Sequence, residues 1–111
     1  MAFTEKQLGR AQIASGSQTT LYTVPASTMA IIRDIMIVNT TSTDRTVEVW
    51  LVPNGGSPAD NNKLIADMTV YANDCLHWQG WQVLGTAGDM IQAEASAASA
   101  ITIIVSGAEV T

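Results

Sequence analysis

The sequence predicts an all-β protein, a single-domain antiparallel β-sandwich that is jelly-roll-like and has an extended N-terminal arm. Its 111 residues are enough for one domain with a real core but not for two. Roughly seven to nine short segments rich in β-branched side chains follow one another, with turn residues about every ten positions. No window has a convincing helical period, because Ser96 and Ser99 weaken the one Ala-rich candidate at 93–100.

The segment 29–38 is predicted to be a central strand. Its β-branched side chains pack well on a pleated surface. Both alternation phases are apolar, with Ile31, Ile35 and Ile37 predicted on one face and Ile32, Met36 and Val38 on the other. A half-solvated strand would have only one apolar face. We therefore expect one face to meet the core and the other to be covered by another segment or another subunit.

Residues 1–18 are predicted to form an N-terminal arm or an edge strand, ahead of a sandwich domain at 19–111. From position 7 to 15 the large apolar anchors are Leu8 and Ile13. A polar turn at 16–20 leads into a short strand at 21–25, which Pro25 ends because it lacks a backbone donor.

A polar loop at 39–44 precedes a predicted strand at 45–53 with clean alternation. Val47, Val49 and Leu51 are expected to point inward, which leaves Trp50 on the other face among polar neighbours. Because Trp contributes much of the energy in interfaces, Trp50 is a candidate contact residue. The alternative is that its own chain covers it. Further strands are predicted at 64–70, at 75–78 and 81–84 (or as one strand broken near position 80), at 90–95 and at 100–105.

Composition and charge exclude several functions. Charged residues make up 14% of the chain, well below the roughly 25% of ordinary soluble domains. A net charge of −5 without a Lys/Arg cluster argues against nucleic-acid binding, which depends on neutralised phosphates. No segment has the pattern of a secretory leader or a membrane helix, so we expect synthesis in the cytoplasm and no membrane partner.

We predict no enzyme activity, no cofactor and no metal. The single cysteine, Cys75, excludes an internal disulfide and is expected to be a small buried hydrophobe. Cys75 and His77 would share one face of a strand, but a nucleophile pair also needs an orienting group and an oxyanion site. The polar run at 60–62 lacks the spacing of a calcium loop.

An aromatic cluster is the remaining candidate for binding. Tyr71, Trp78 and Trp81 lie close in sequence to amide and carboxyl side chains, a composition suited to stacking a sugar ring. The alternative for the two tryptophans is one in the core and one in a subunit contact. Taken together, the candidate interface residues are Phe3, Leu8, Ile13, Trp50, Tyr71, Trp78 and Trp81.

Five segments resemble a family of small structural proteins of tailed bacteriophages: LYTVP at 21–25, IIRDI at 31–35, VNT at 38–40, VWLVP at 49–53 and IIVSGAE at 103–109. The similarity runs from about position 20 to the end. Related modules occur as capsid decoration proteins and in tail or fibre components. The resemblance implies a virion location, an all-β fold and symmetric assembly, and it carries over no catalytic residue.

Low charge, the two-faced central strand and this resemblance together predict a capsid decoration (cement) protein on the capsid surface. It is expected to be a homotrimer that binds the major capsid protein and bridges neighbouring capsomers, with its arm at 1–15 reaching onto a neighbour. The alternative is a tail-fibre, neck or tail-associated module that recognises a host glycan or another tail protein.

Overall fold

The computed structural model describes residues 2–111 and confirms the all-β prediction. Eight strands and one 3-10 turn at Asp60–Asn62 account for the regular structure of that range. None of the described residues belongs to a helix long and apolar enough to cross a membrane. The strands are β1 (Phe3–Gln12), β2 (Thr19–Thr23), β3 (Met29–Asn39), β4 (Arg45–Val52), β5 (Lys63–Val70), β6 (Cys75–Leu84), β7 (Met90–Ala95) and β8 (Ile101–Val110).

The strands form two four-stranded sheets, and both are antiparallel throughout. Sheet A has the order β1-β8-β3-β6 and sheet B the order β2-β7-β4-β5. The first strand pairs with the last, the second with the seventh, the third with the sixth and the fourth with the fifth. A long hairpin rolled into two layers has this pairing, which is that of a jelly roll. The predicted sandwich is therefore confirmed.

The core fills the space between the two sheets. β3 lies between β8 and β6, which confirms it as an inner strand. Its inward side chains belong to one buried cluster with β-branched residues of β4, β7 and β8, and stiff side chains of this kind pack well on facing pleated sheets. The largest fully buried side chains are Ile13, Ile32, Ile35, Ile37, Ile91, Ile101, Ile103, Val47, Val49, Val52, Val70 and Val105.

A β-bulge at Arg33 divides β3 into two halves. Ile32 is opposite Gly107 of β8 and Asp34 is opposite Ser106, which leaves Arg33 as the extra residue. An extra residue reverses the alternation of all side chains that follow it. The prediction that Ile31 lies on the same face as Ile35 and Ile37 was therefore wrong. Ile32, and not Ile31, belongs to the core with these two residues.

Gly107 allows the two strands to approach each other at the bulge. A Cβ atom at this position would lie 1.9 Å from the carbonyl oxygen of Ile31. No side chain can occupy that space, so a glycine is required where the backbones come close.

Within the segment 1–18, residues Phe3–Gln12 form β1, an edge strand of sheet A. β1 pairs with β8 from Phe3 opposite Val110 to Gln12 opposite Thr102. The anchors Leu8 and Ile13 are both buried. Burial of these two side chains and a ladder of backbone hydrogen bonds, interrupted at Leu8, hold the segment against its own domain. Position 1 lies outside the described residues.

Asn39 anchors the β3–β4 loop from inside the protein. It is 1% exposed, and its side-chain amide donates to the carbonyl oxygens of Thr43 at 2.8 Å and Val70 at 3.0 Å. Its side-chain oxygen accepts from the backbone N–H of Thr41 at 2.9 Å and from the Thr41 hydroxyl at 2.7 Å. All four hydrogen-bonding positions of the amide are filled, which removes the penalty for burying it.

Candidate functional site

The register of sheet A places apolar side chains in rows on its outer face. Phe3, Val110 and Met29 are aligned in one row across β1, β8 and β3. The next row contains Ala108, Ile31 and Val83. We call the surface made by Phe3, Met29, Ile31, Trp81, Val83, Ala108 and Val110 the apolar face.

Most of the large apolar side chains that the described residues expose lie on this face. Residues 2–111 leave six large apolar side chains exposed. Four of them lie on the apolar face: Phe3 (60%), Trp81 (57%), Val83 (49%) and Met29 (38%). Monomeric soluble proteins rarely expose a contiguous apolar patch of this kind, and such patches mark interaction sites.

A groove of about 530 Å³ crosses the face between Phe3 and Trp81, with Ile31 and Ala108 along it. The guanidinium carbon of Arg33 lies 4.8 Å from the centre of the Trp81 ring. At this distance the cation is attracted to the face of the indole. The contact holds Trp81 over the bulge, so the exposed ring is positioned by its own chain.

One edge of the apolar face is the free strand β6, which contains no Asp, Glu, Lys, Arg or Pro. Sheet edges are commonly protected from further pairing by such residues or by being short. The other edge strands have these protections, since β1 contains Lys6 and Arg10, β5 contains Lys63 and Asp67, and β2 has five residues. Within the described chain, β6 is the edge strand without them.

The outer face of sheet B has the opposite character. Glu48, Asp67 and Glu94 lie together there, and the ammonium of Lys63 is 3.8 Å from a Glu48 carboxylate oxygen. A hydrogen bond with Asp67 raises the pKa of Glu48, and burial and the negative charges of Asp67 and Glu94 add to this effect, whereas Lys63 opposes it. Across residues 2–111, no group of three or more His, Cys, Asp or Glu side chains is arranged to hold a metal ion.

Cys75 is exposed, so the expectation of a buried hydrophobe was wrong. The reason is the position of β6 at the sheet edge, where Cys75 begins the strand. His77 contacts the carboxylate of Asp34 through Nε2. In the part of the chain that the structure describes, the side-chain hydrogen bond of His77 goes to Asp34 and not to Cys75.

Trp78 and Trp81, which are close together in the sequence, lie on different faces in the structure. Trp78 is partly buried against the core, and its ring lies beside Gly80, where an added Cβ would be 2.8 Å away. Trp81 lies on the outer face with Arg33. The two indoles are therefore on opposite faces of β6, and they form no common stacking platform.

Some of the other candidate interface residues are exposed and some are buried. Phe3 and Tyr71 are exposed, whereas Leu8 and Ile13 belong to the core. Trp50 is 5% exposed, with the Lys63 ammonium 5.6 Å from its ring centre. Its own chain covers Trp50, so little of the indole is left for a partner.

Sequence reasoning missed several residues of the apolar face, namely Met29, Ile31, Val83, Ala108 and Val110. The signal that could have found them is the apolar character of both phases of 29–38. This pattern indicates that the second face of the strand is also covered, but it does not show which other strands contribute residues to that face.

No protein-family model matches the chain, and no curated protein matches it. Among solved structures, the chain is similar to a chain in the structure of infectious bursal disease virus, Gx strain, with 12% sequence identity and a TM-score of 0.44. The match covers 97% of this chain and 31% of that chain. This chain thus spans about a third of the viral chain, and a likeness this distant carries no argument about function. Fold and surface define a small jelly-roll domain with one apolar and one acidic outer face.

Proposed function

We propose that this chain is a non-enzymatic structural protein of a tailed-bacteriophage virion, and that it is a capsid decoration (cement) protein. The observation that carries the proposal is the apolar face, which lies open in a chain with only 14% charged residues. Surfaces of this composition are typical of subunits that are held among neighbours. The resemblance of the strand segments to phage structural proteins points the same way.

In this proposal the partner is the major capsid protein, and the mechanism is linkage. A protein that binds the assembled shell and not its dissociated subunits stabilises the shell by mass action, by about 2.7 kcal/mol at a free concentration one hundred times its dissociation constant. Bridging needs two contact surfaces on each decorating unit. A symmetric oligomer, expected to be a homotrimer, supplies repeated copies of one surface.

The test is the copy number of the chain in purified particles, measured by quantitative mass spectrometry against the major capsid protein. One copy per capsid subunit, or a simple fraction of that, is expected for a shell component. A few to a few dozen copies per particle would reject the decoration role. It would move the protein to the neck or tail, the alternative in which Tyr71 or Trp81 contacts a glycan or another tail protein.

A second experiment tests linkage directly. Purified chain is added to particles that lack it, and release of the packaged DNA on heating is followed with a dye. The release temperature is expected to rise with added chain and to reach a plateau at full occupancy. An unchanged temperature at saturating concentration would contradict a cementing role.

A further inference from the structure

We propose that the apolar face of sheet A, together with the β6 edge, is the surface through which two copies of this chain bind each other. This inference rests on the proposed function in assuming that the protein forms a symmetric assembly. The self-association itself does not depend on binding to the capsid. The occupant of the face is a second copy, packed face to face or around a closed ring.

The outer side of sheet A, which includes the apolar face, is large enough for a stable contact. The strands of sheet A contain ten or eleven residues each. Four such strands, about 4.8 Å apart and about 34 Å long, present roughly 650 Å² on one side. Two copies that cover the whole outer side of sheet A would bury about 1,300 Å² in total, within the range of about 1,200–2,000 Å² for specific interfaces.

The charges of this face favour a copy of the same chain. The register places two acidic and two basic side chains on the outer side of sheet A, namely Glu5, Asp34, Arg10 and Arg33. Their formal charges cancel, although the whole chain has a net charge of −5. Two copies can therefore approach through sheet A without the repulsion that the acidic outer face of sheet B would cause.

The β6 edge continues the same surface. It presents unpaired backbone donors and acceptors along a ten-residue strand that contains no Asp, Glu, Lys or Arg. An antiparallel strand edge is complementary to its own copy, because donors and acceptors alternate in the same order from either end. Trp81 and Val83 lie both on this strand and on the apolar face, so a copy that pairs with the β6 edge also contacts the part of the apolar face next to it.

The proposal is tested on the purified full chain by sedimentation velocity across about 1–100 µM. The wild type is expected to form a dimer or a trimer. Val83→Glu places a carboxylate in the proposed interface and is expected to raise the concentration of half-association at least tenfold. Met68→Glu is the matched control, because Met68 is 45% exposed but lies on β5 of sheet B. It is expected to sediment like the wild type.

Far-UV circular dichroism establishes that each variant is folded, and Phe3→Glu on the opposite edge of the face serves as the second variant if Val83→Glu does not fold. A monomeric wild type at 100 µM overturns the proposal, as does a folded variant of the face with wild-type association. Dissociation by Met68→Glu also overturns it, since the contact would then not be specific to sheet A. If the wild type is monomeric and Val83→Glu reduces binding to the capsid shell, the apolar face would instead be the surface that binds the capsid. The decoration role would then still hold.

Discussion

The phenol of Tyr22 donates a hydrogen bond of 2.5 Å to a carboxylate oxygen of Glu109 and so joins the two sheets at one end of the sandwich. Tyr22 belongs to β2 of sheet B, and Glu109 belongs to β8 of sheet A. The ammonium of Lys6 lies 3.2 Å from the other carboxylate oxygen. The carboxylate therefore accepts from a buried phenol on one side and an exposed cation on the other.

This contact predicts a specific dependence of stability on pH. The hydrogen bond from Tyr22, aided by Lys6, lowers the pKa of Glu109 although burial opposes the change. A carboxyl whose pKa is lower in the folded state stabilises the fold above its unfolded value, near 4.3, and this stabilisation is lost as pH falls through the folded value. Tyr22→Phe is therefore expected to lower the free energy of unfolding by about 1–3 kcal/mol at pH 7 and by less at pH 3. Urea unfolding at both pH values measures this, and an equal loss at both would contradict it.

The opposite sign is expected at Glu48. Its pKa is raised in the folded protein, so the ionised form opposes folding and the penalty appears as pH rises through the folded value. Glu48→Gln is expected to increase the free energy of unfolding at pH 7 by a few tenths to about 1 kcal/mol, with no gain below about pH 4. Glu5→Gln on sheet A is the control. A loss of stability at pH 7 in Glu48→Gln would show that the ion pair with Lys63 outweighs the repulsion.

Removal of the Asn39 side chain is expected to destabilise the protein strongly. Asn39→Ala leaves the buried carbonyl oxygen of Val70 without this donor and releases the backbone of Thr41. The expected loss is about 2–3 kcal/mol in urea unfolding. Thr43→Ala, in the same loop, removes a side chain that donates no hydrogen bond in the described chain, and it is expected to stay within about 0.5 kcal/mol of the wild type.

Two glycines form a matched pair for testing close backbone approach. Gly107→Ala would drive a methyl group into the carbonyl oxygen of Ile31, whereas a Cβ at Gly85 meets no atom within 4 Å. The first variant is expected to lose about 3 kcal/mol or more, or to fold poorly, and the second to change little. Thermal unfolding of both variants measures the difference. Similar stabilities would show that the sheet relaxes around the bulge.

Local patterns were sufficient to predict the fold, because alternation and turn residues report on each strand separately. The placement of Cys75, Trp50 and Ile31 was not accessible in this way. Cys75 is exposed because β6 is at an edge, which depends on strand order. Trp50 is covered through contact with Lys63, which lies on the partner strand β5. Ile31 changes face because of a bulge that Gly107, on another strand, makes possible.

For the same reasons, the residues of the candidate surface were only partly predicted. Phe3 and Trp81 lie on the apolar face, whereas Leu8 and Ile13 contribute to the core. The size and hydrophobicity of a side chain do not distinguish a core residue from an interface residue. That distinction depends on which face of the sheet the residue occupies, and in sheet A the bulge determines the face.

The rolled pairing also has a consequence for the order of folding. β8 lies between β1 and β3, and its register joins Phe3 to Val110 across almost the whole described chain. β1 therefore has no partner strand, and β3 lacks one of its two, until β8 enters between them. Closing such long loops slows folding, with times of milliseconds to seconds typical of all-β domains. During that delay the side of β3 that pairs with β8 is open, and rapid dilution at low protein concentration is the condition under which refolding should be most complete.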